Sequence, residues 1–276
     1  MEEYAYLKPV QDRLKTLLDD LVLYTKKANV TYVLAFGSLL GACRHKDIIP
    51  WDDDIDVVMK RDDYERFIEY FMTHDTGDYI LSCMETDKSC SLFAKFVRTR
   101  GDEDLSSLFT HPKGLCIDIF PLDEAYSYHN FFQRINELRI RSMKTIVSSR
   151  IRMRDSNYHE SKMKNIIRHL MVVPYCMFSD EWLIRRAIKL CKKFNGRNAP
   201  DYVFYGTVKP MSHDHNKREN WFPLTTLPLG SKEYNAAGNY KAVLTTFYGK
   251  DYYKMPPEYV KVQHTNDGLS GWENNE

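Results

Sequence analysis

The hydrophobic residues near the N-terminus follow a helical spacing. Apolar side chains recur three and four positions apart at Leu7, Val10, Leu14, Leu17, Leu18 and Leu21. Residues at this spacing lie on one face of an α-helix, so the pattern predicts an amphipathic helix with a single buried stripe. We expect that helix to end at Asn29.

Shorter apolar runs with a period of two follow. Residues 31–36 (TYVLAF) are β-branched or aromatic and predict a strand that runs into a tight turn at Gly37–Ser38. Residues 54–59 (DIDVVM) alternate and predict a second strand. Further strands are expected at Tyr79–Cys83, Leu92–Val97 and Cys116–Phe120.

Helical patterns complete the chain. Asp62, with Glu65 three positions later, matches a capping box and predicts a helix through Phe71. Residues 124–195 are mainly helical in pattern, with interruptions near Asp155 and Pro174. A short helix, Asn239–Tyr248, is expected to stop at Gly249. The fold class is therefore α/β (α+β), divided into a core at 1–125, a helical region at 126–200 and a C-terminal block at 201–276 that packs back on the core.

Composition favours a folded cytoplasmic protein. Of 276 residues, 43% are hydrophobic and 13% aromatic, which is typical of a globular chain. The six cysteines form no C-x-x-C pair, so we expect free thiols in a reducing compartment. No signal-peptide pattern is present, and the longest apolar run, residues 170–178, is too short to span a bilayer.

Charge is distributed unevenly along the chain. The net charge is +1, but residues 134–197 contain 16 Lys and Arg against 5 Asp and Glu, a net +11. Such a basic segment indicates an anionic partner, which includes peripheral contact with an anionic membrane surface. The alternative is a set of helices whose solvated faces carry Lys and Arg.

The densest acidic run lies in the second predicted strand. Successive side chains of a strand face opposite sides, so Asp54 and Asp56 share one face while Ile55 and Val57 dock on the core. Carboxylates held this close repel one another unless a cation lies between them. Hard oxygen ligands suit Mg²⁺ or Mn²⁺.

Three explanations compete for this run. An acidic surface loop is disfavoured by the alternation and by the flanking Trp51. A calcium-binding EF-hand loop is disfavoured because Val57 and Asp63 stand where that loop needs Gly and Glu. A catalytic divalent-metal site for phosphoryl or nucleotidyl transfer is favoured, because the Gly37–Ser38 turn would let backbone N–H groups approach phosphate oxygens.

A metal site of this kind needs a third carboxylate. Asp118 is a single acid within an apolar strand (CIDIF), and a buried carboxylate requires a cation or a hydrogen-bond donor. The alternative role, capping a turn, fits Asp123 better.

Three blocks of the sequence resemble the LicD family, which includes fukutin-related protein. They are residues 36–67 (FGSLLGACRHKDIIPWDDDIDVVMKRDDYERF), residues 116–123 (CIDIFPLD), and the stretch from Trp221 to His264. The resemblance implies a nucleotidyltransferase-like fold. It also implies transfer of a phospho-alcohol, such as phosphocholine from CDP-choline, to a hydroxyl of a cell-surface glycan or its lipid-linked precursor, with release of CMP. Teichoic acid and lipopolysaccharide are the acceptors known for bacterial relatives.

The resemblance also assigns residues by position. Asp54 and Asp56 match the metal-binding Asp-x-Asp, Asp118 matches the third carboxylate, and Gly37 and Ser38 match a phosphate-binding turn. The metal implied is Mg²⁺ or Mn²⁺. The hydroxyl proton would pass to Asp118 or to Asp53.

Other candidates carry alternatives. Arg44, His45 and Lys46 are potential donors to a pyrophosphate, or else a solvated basic turn. Lys95 is the basic residue of its strand that we expect to face the site. Trp51 could stack on a base or enclose a quaternary ammonium, or it could pack ahead of the strand.

Two other classes of protein stay open. One is a nucleotidyltransferase that acts on RNA or a small molecule and releases pyrophosphate, although we do not expect a nucleic-acid partner. The other is a binding protein with an inactive site, which the complete set of acids disfavours.

Overall fold

The computed structural model describes residues 2–108, 111–154, 172–205 and 211–255. The class is mixed α/β, as predicted. Within these residues the α-helices are α1 (Lys8–Lys27), α2 (Phe36–Arg44), α3 (Arg61–Thr73), α4 (Phe131–Arg154), α5 (Asp180–Cys191), α6 (Met211–Asp214), α7 (Arg218–Trp221) and α8 (Tyr240–Tyr248). Short 3₁₀ segments lie at Glu2–Leu7, Glu103–Leu108, Val173–Tyr175 and Lys192–Phe194.

Seven strands form one mixed sheet and two form a separate hairpin. The strands are β1 (Val33–Leu34), β2 (Asp56–Lys60), β3 (Tyr79–Ser82), β4 (Ala94–Arg98), β5 (Leu115–Ala125), β6 (Asp201–Val203), β7 (His215–Lys217), β8 (Thr225–Leu229) and β9 (Lys232–Ala236). The central order is β1-β2-β5-β4-β3, with β2 and β5 parallel. The C-terminal end of β5 pairs with β6, and β6 pairs with β7. Strands β8 and β9 form the separate hairpin.

The first helix and the alternating strands build the main core. The predicted stripe is confirmed: Leu7, at the end of the first 3₁₀ segment, and the five apolar residues of α1 are fully buried in one cluster with the core-facing residues of β2 and β5. Ile55, Val57 and Ile119 each have no exposed surface. Burial of such side chains stabilises the fold by about 2 kcal/mol each, which fixes the strands that carry the acids.

Three local predictions were wrong. Gly37 and Ser38 are not a turn after a strand but the first turn of α2, because the backbone enters a helix directly after a short β1. Helix α3 begins at Arg61 with Lys60 as its N-cap and no side-chain cap, so Asp62 lies inside the first turn. Asp123 caps no turn: β5 runs through to Ala125 and buries it.

A second apolar cluster joins the helical region to the sheet. Helices α4 and α5 pack against each other, with Ile140, Val147, Leu183, Ile184 and Ala187 buried between them and the end of β5. The predicted helix near the C-terminus is confirmed as α8, with Asn239 capping it and Gly249 at its end. Strands β6 to β9 were not predicted, because the sequence between residues 201 and 236 is polar and its strands are short.

Helices in the described ranges include none with the length and apolar character needed to cross a membrane. Residues 155–171 of the predicted helical region, which include the start of the apolar run, and residues 206–210 and 256–276 of the predicted C-terminal block lie outside the described residues.

Candidate active site

The register of the sheet brings three charged residues into one row. Strand β2 pairs with β5 so that Asp56 lies opposite Asp118, and β5 pairs with β4 so that Asp118 lies opposite Lys95. The backbone N–H of Asp118 donates to the carbonyl of Ile55 at 3.0 Å, which fixes this register. Two predicted carboxylates and the predicted lysine therefore meet on neighbouring strands, although up to 62 residues separate them in sequence.

Lys95 neutralises part of this row. Its Nζ donates to Asp118 Oδ1 at 2.6 Å, and both side chains are largely buried. Burial alone would lower the pKa of Lys95, but the carboxylates of Asp118 and Asp56 outweigh it and the pKa is raised. Lys95 is therefore a charged partner of Asp118 across the physiological range.

The loop before β2 adds further acids beside this row. We call Asp52, Asp54, Asp56 and Asp118 together the acidic edge. Asp52 and Asp54 share a side-chain hydrogen bond, and burial followed by the charge of Asp54 raises the pKa of Asp52 well above its ordinary value. Burial, Asp54 and Asp118 likewise raise the pKa of Asp56, against the opposing effect of Lys95. The carboxylates at this edge thus act on one another, and Lys95 offsets the effect on Asp56 only in part.

Helix α2 supports this edge from one side. The N–H of Asp56 donates to Ser38 Oγ at 2.8 Å, and its carbonyl accepts from the N–H of Ala35 at 3.0 Å. Ser38 is buried, so its hydroxyl positions the strand that carries Asp56. A Cβ on Gly37 would lie 2.7 Å from Asp52 Oδ2, so any larger residue would require that carboxylate to shift. Asp52 was not predicted as a site residue, and its contact with Gly37 depends on the tertiary fold.

The predicted basic turn lies at the opposite end of α2. Arg44 donates through Nη1 to the carbonyls of Tyr252 and Lys254, at 3.2 and 3.0 Å, and through Nε to His45. Burial lowers the pKa of Arg44, and burial together with Arg44 lowers the pKa of His45. The side chain of Lys46 is exposed, and its carbonyl accepts from the N–H of Gly230.

Trp51 belongs to the core. It is 8% exposed, with Tyr4 at 6.1 Å and His45 at 5.9 Å between ring centroids. The Arg44 guanidinium lies 5.8 Å from its ring. These contacts favour the packing role over stacking on a base or enclosing an ammonium group.

Tyr248 is a site residue that the sequence analysis missed. It ends helix α8, which contacts α2, and the neighbouring Phe247 ring stacks on Phe36 at 5.2 Å. Burial, followed by the charges of Asp52, Asp56 and Asp54, raises the pKa of the Tyr248 phenol. Although 37% of Tyr248 is exposed, its phenol is therefore influenced by the charges of the acidic edge and stays neutral at physiological pH. The only sequence signal was its place in the third resembling block.

A family comparison agrees with this site. Residues 29–149 match the family model described as LicD/FKTN/FKRP, nucleotidyltransferase domain, and this range contains the acidic loop, Lys95 and Asp118. The chain contains a LicD-family domain. The match includes α2, the central strands of the sheet and most of α4.

Individual relatives extend the comparison beyond the LicD domain. The lipopolysaccharide cholinephosphotransferase LicD of Haemophilus influenzae is 26% identical over 265 residues, covering 90% of this chain and 91% of the relative. Ribitol 5-phosphate transferase FKRP of human and of mouse is 67% identical over 30 residues. That shorter match covers 11% of this chain and only 6% of FKRP, so it describes a local motif.

The acidic edge of the LicD domain suits a divalent cation in its chemistry. Its donors are carboxylate oxygens, and burial together with the neighbouring carboxylates raises the pKa values of Asp52 and Asp56, an effect that a bound cation would oppose. In the described part of the chain, no three His, Cys, Asp or Glu side chains form a ready ligand set, and Lys95 holds one oxygen of Asp118. The residues that would hold the ion are Asp54, Asp56 and Asp118.

The two candidate bases differ in accessibility. Asp53 is 3% exposed and lies in the protein interior, whereas the Asp118 side chain, on the central strand β5, is 19% exposed. A group that accepts a proton from a substrate hydroxyl must come within hydrogen-bond reach of it. The geometry therefore favours Asp118 over Asp53.

Proposed function

We propose that this protein is a phosphotransferase that moves a phospho-alcohol, phosphocholine in the first instance, from a CDP-activated donor to a glycan hydroxyl. The acceptor would be a cell-surface glycan such as lipopolysaccharide or its lipid-linked precursor, and CMP would be released. The observation that carries the proposal is the row of Asp56, Asp118 and Lys95 beside an acidic loop. The similarity to a lipopolysaccharide cholinephosphotransferase over 90% of the chain supports the substrate class.

The reaction is an in-line displacement at phosphorus. The glycan oxygen forms a bond to the phosphorus that bears the alcohol, and the bond from that phosphorus to the CMP oxygen breaks. The hydroxyl proton passes to a carboxylate, for which we propose Asp118. Lys95 remains protonated and orients Asp118, which it contacts at 2.6 Å.

We further propose that the reaction depends on Mg²⁺ or Mn²⁺ held by Asp54, Asp56 and Asp118. When bound, such an ion neutralises the donor diphosphate and the departing phosphate. The protein contributes by holding the carboxylates in fixed positions. Ser38 and Ala35 fix the backbone of Asp56 on both sides, while Gly37 leaves space for Asp52.

A panel of nucleotides tests the proposal. Purified protein is incubated with CDP-choline, CDP-ribitol or CDP-glycerol and a lipopolysaccharide acceptor, with Mg²⁺, with Mn²⁺ or with a chelator. We expect CMP release that needs both acceptor and metal and is fastest with CDP-choline. Pyrophosphate release from a nucleoside triphosphate, without CMP release from any CDP-alcohol, would replace the proposal with the nucleotidyltransferase alternative.

A further inference from the structure

The solvent side of α4 is unusually apolar. Its first half exposes Phe131, Phe132 and Leu138, by 69%, 68% and 52%, together with Ile135. The opposite side of the helix is buried against α5 and the sheet. A helix at the surface of a globular protein normally turns a polar face to water, so this surface, which we call the outer face of α4, calls for a partner.

The charges on the outer face have one sign. Arg134 and Arg139 are exposed among the apolar residues, at positions that neighbour them on the helix surface. The single acid of the 24-residue helix, Glu137, is 2% exposed and bonded to Gln133 and His215 in the interior. The outer face is therefore apolar and cationic without any exposed carboxylate.

A neighbouring segment extends the same surface. Arg150 donates to the carbonyls of Phe178 and Tyr175 at 2.8 and 2.5 Å and so holds residues 173–178 against α4. Met177 in this segment is 90% exposed. Phe178 stacks on Trp182 with centroids 4.3 Å apart, and both rings are partly exposed.

The two parts meet along a shallow groove. It has a volume of about 280 Å³ and lies between the α4 side chains of Ile135, Leu138 and Arg139 and the ring of Tyr175. The apolar surface of the segment therefore continues that of the helix. Both parts fall within the stretch 134–197, which carries a net charge of +11, or directly beside it.

We propose that the outer face of α4 and residues 173–182 dock on an anionic lipid membrane surface. Exposed Phe, Met and Trp side chains enter the headgroup region, where their apolar area leaves water, while Arg134 and Arg139 contact lipid phosphates. Each basic residue near such a surface contributes on the order of 1 kcal/mol, so Arg134 and Arg139 together add about 2 kcal/mol to the contribution of the apolar side chains. Attachment is independent of the reaction proposed above.

The apolar component favours lipid over nucleic acid. Arginines alone would suit the phosphates of either partner, but a nucleic-acid backbone offers no apolar phase for Met177 or for two adjacent phenylalanines. A lipid surface offers both the phosphates and the apolar phase. The salt dependence of binding is common to both partners, so the test relies on the apolar residues.

Co-sedimentation with vesicles tests the proposal. We compare vesicles of phosphatidylcholine with equimolar vesicles of phosphatidylglycerol and phosphatidylcholine, and we expect the protein to pellet with the anionic vesicles only. The double variant Phe131→Asp/Phe132→Asp and the single variant Met177→Asp should each reduce the bound fraction at least about tenfold. Met72→Asp is the matched control, because Met72 is 61% exposed on α3, outside the proposed surface.

Each result decides the question. The proposal would be overturned if the protein pelleted with neither vesicle type. It would also be overturned if Met72→Asp reduced the bound fraction as much as the variants of the proposed surface. Tight binding of single-stranded RNA that displaces the protein from vesicles would assign the surface to nucleic acid instead. Thermal unfolding of each variant checks its fold, and Arg134→Gln/Arg139→Gln repeats the test without altering apolar area: it should weaken anionic binding, and unchanged binding would contradict the charge component.

Discussion

Strand β5 carries two aspartates in opposite environments. At its start, Asp118 faces Lys95 and an acidic edge where burial and neighbouring carboxylates raise the pKa values of Asp52 and Asp56. Near its end, Asp123 is fully buried and accepts two bonds from Arg61, at 2.8 and 2.6 Å, and one from Asn195 at 2.7 Å.

The two aspartates of β5 differ in how completely the protein satisfies their charge and hydrogen-bonding capacity. A carboxylate whose charge and lone pairs are satisfied inside the protein has no capacity left for a substrate or an ion. A cluster whose negative charge is only partly compensated is costly on its own and gains most from an external cation. We therefore assign the proposed reaction to the start of β5, which we call the reactive end, and a structural role to the far end, which we call the brace.

The largest effect should come from the acids of the reactive end. Asp54→Asn or Asp56→Asn should lower the rate of CMP release on the order of 10³-fold or more, because several kcal/mol of charge stabilisation is lost. Thermal stability in a chelator should hold or rise, since the change relieves repulsion between carboxylates. Asp62→Asn, an exposed position on α3, is the control. Near-normal turnover at low metal concentration in either site variant would remove the metal-site proposal.

The brace should respond in stability instead. Asp123→Ala leaves the buried guanidinium of Arg61 without its bidentate partner and should lower the free energy of unfolding by about 3–5 kcal/mol in a urea titration. Arg61→Met/Asp123→Leu removes both charges and should recover most of that loss. A single variant that loses activity while keeping its full stability would contradict the division between the two ends.

A third polar cluster contains a histidine, His215, whose protonation offsets the charge of two neighbouring carboxylates. His215 on β7 contacts Glu137 of α4 at 2.5 Å and Asp201 of β6 at 3.7 Å, while Tyr128 lies beside its ring. Burial by itself would lower the pKa of His215, but the carboxylates of Asp201 and Glu137 raise it to about 9. Because the folded pKa exceeds the ordinary value of 6.5, the added stability is fully present below about pH 6.5 and is lost as pH rises through about 9.

The size of this loss should be on the order of 3 kcal/mol at most. Urea unfolding between pH 6 and pH 10 measures it, and His215→Gln should flatten the profile by removing the titrating group. A wild-type profile that rises with pH over this window would refute the assignment.

The smallest effects should come from the basic turn at the far end of α2. Lys46→Ala, at an exposed side chain, should change the donor's KM less than about tenfold. Arg44→Ala should act mainly on stability, by about 1 kcal/mol, because its guanidinium holds the carbonyls of Tyr252 and Lys254. A large rise in the donor's KM with unchanged stability in both variants would instead support direct contact between the basic turn and the donor diphosphate.

Much of the arrangement follows from local pattern. The stripe of α1 and the helix between Asn239 and Gly249 could be predicted, because periodicity is a property of neighbouring residues. The strand predicted at residues 54–59 begins only at Asp56, so Asp54 lies in the loop before β2 and not on the same strand face. The apolar neighbours of the acidic run are explained in the same way: Ile55 and Val57 dock the strand that presents the carboxylates.

The polar segments were harder to predict. Strands β6 and β7 have three residues each, and they exist because they pair with the end of β5. The Gly37–Ser38 element is a helix start because α2 packs between β2, the hairpin and α8. In both cases, packing partners distant in sequence decided the local conformation.

The sequence alone predicts which residues would carry the proposed chemistry, whereas the tertiary structure shows which of them lie together. Strand register placed Asp118 between Asp56 and Lys95, and helix packing brought Tyr248 and Asp52 to the same edge. Register and packing depend on the summed burial of the whole sheet, so no local window of sequence contains them. The same reason explains why Asp123, on the same strand, is buried and accepts hydrogen bonds from Arg61 and Asn195, whereas the Asp118 side chain keeps some exposed surface.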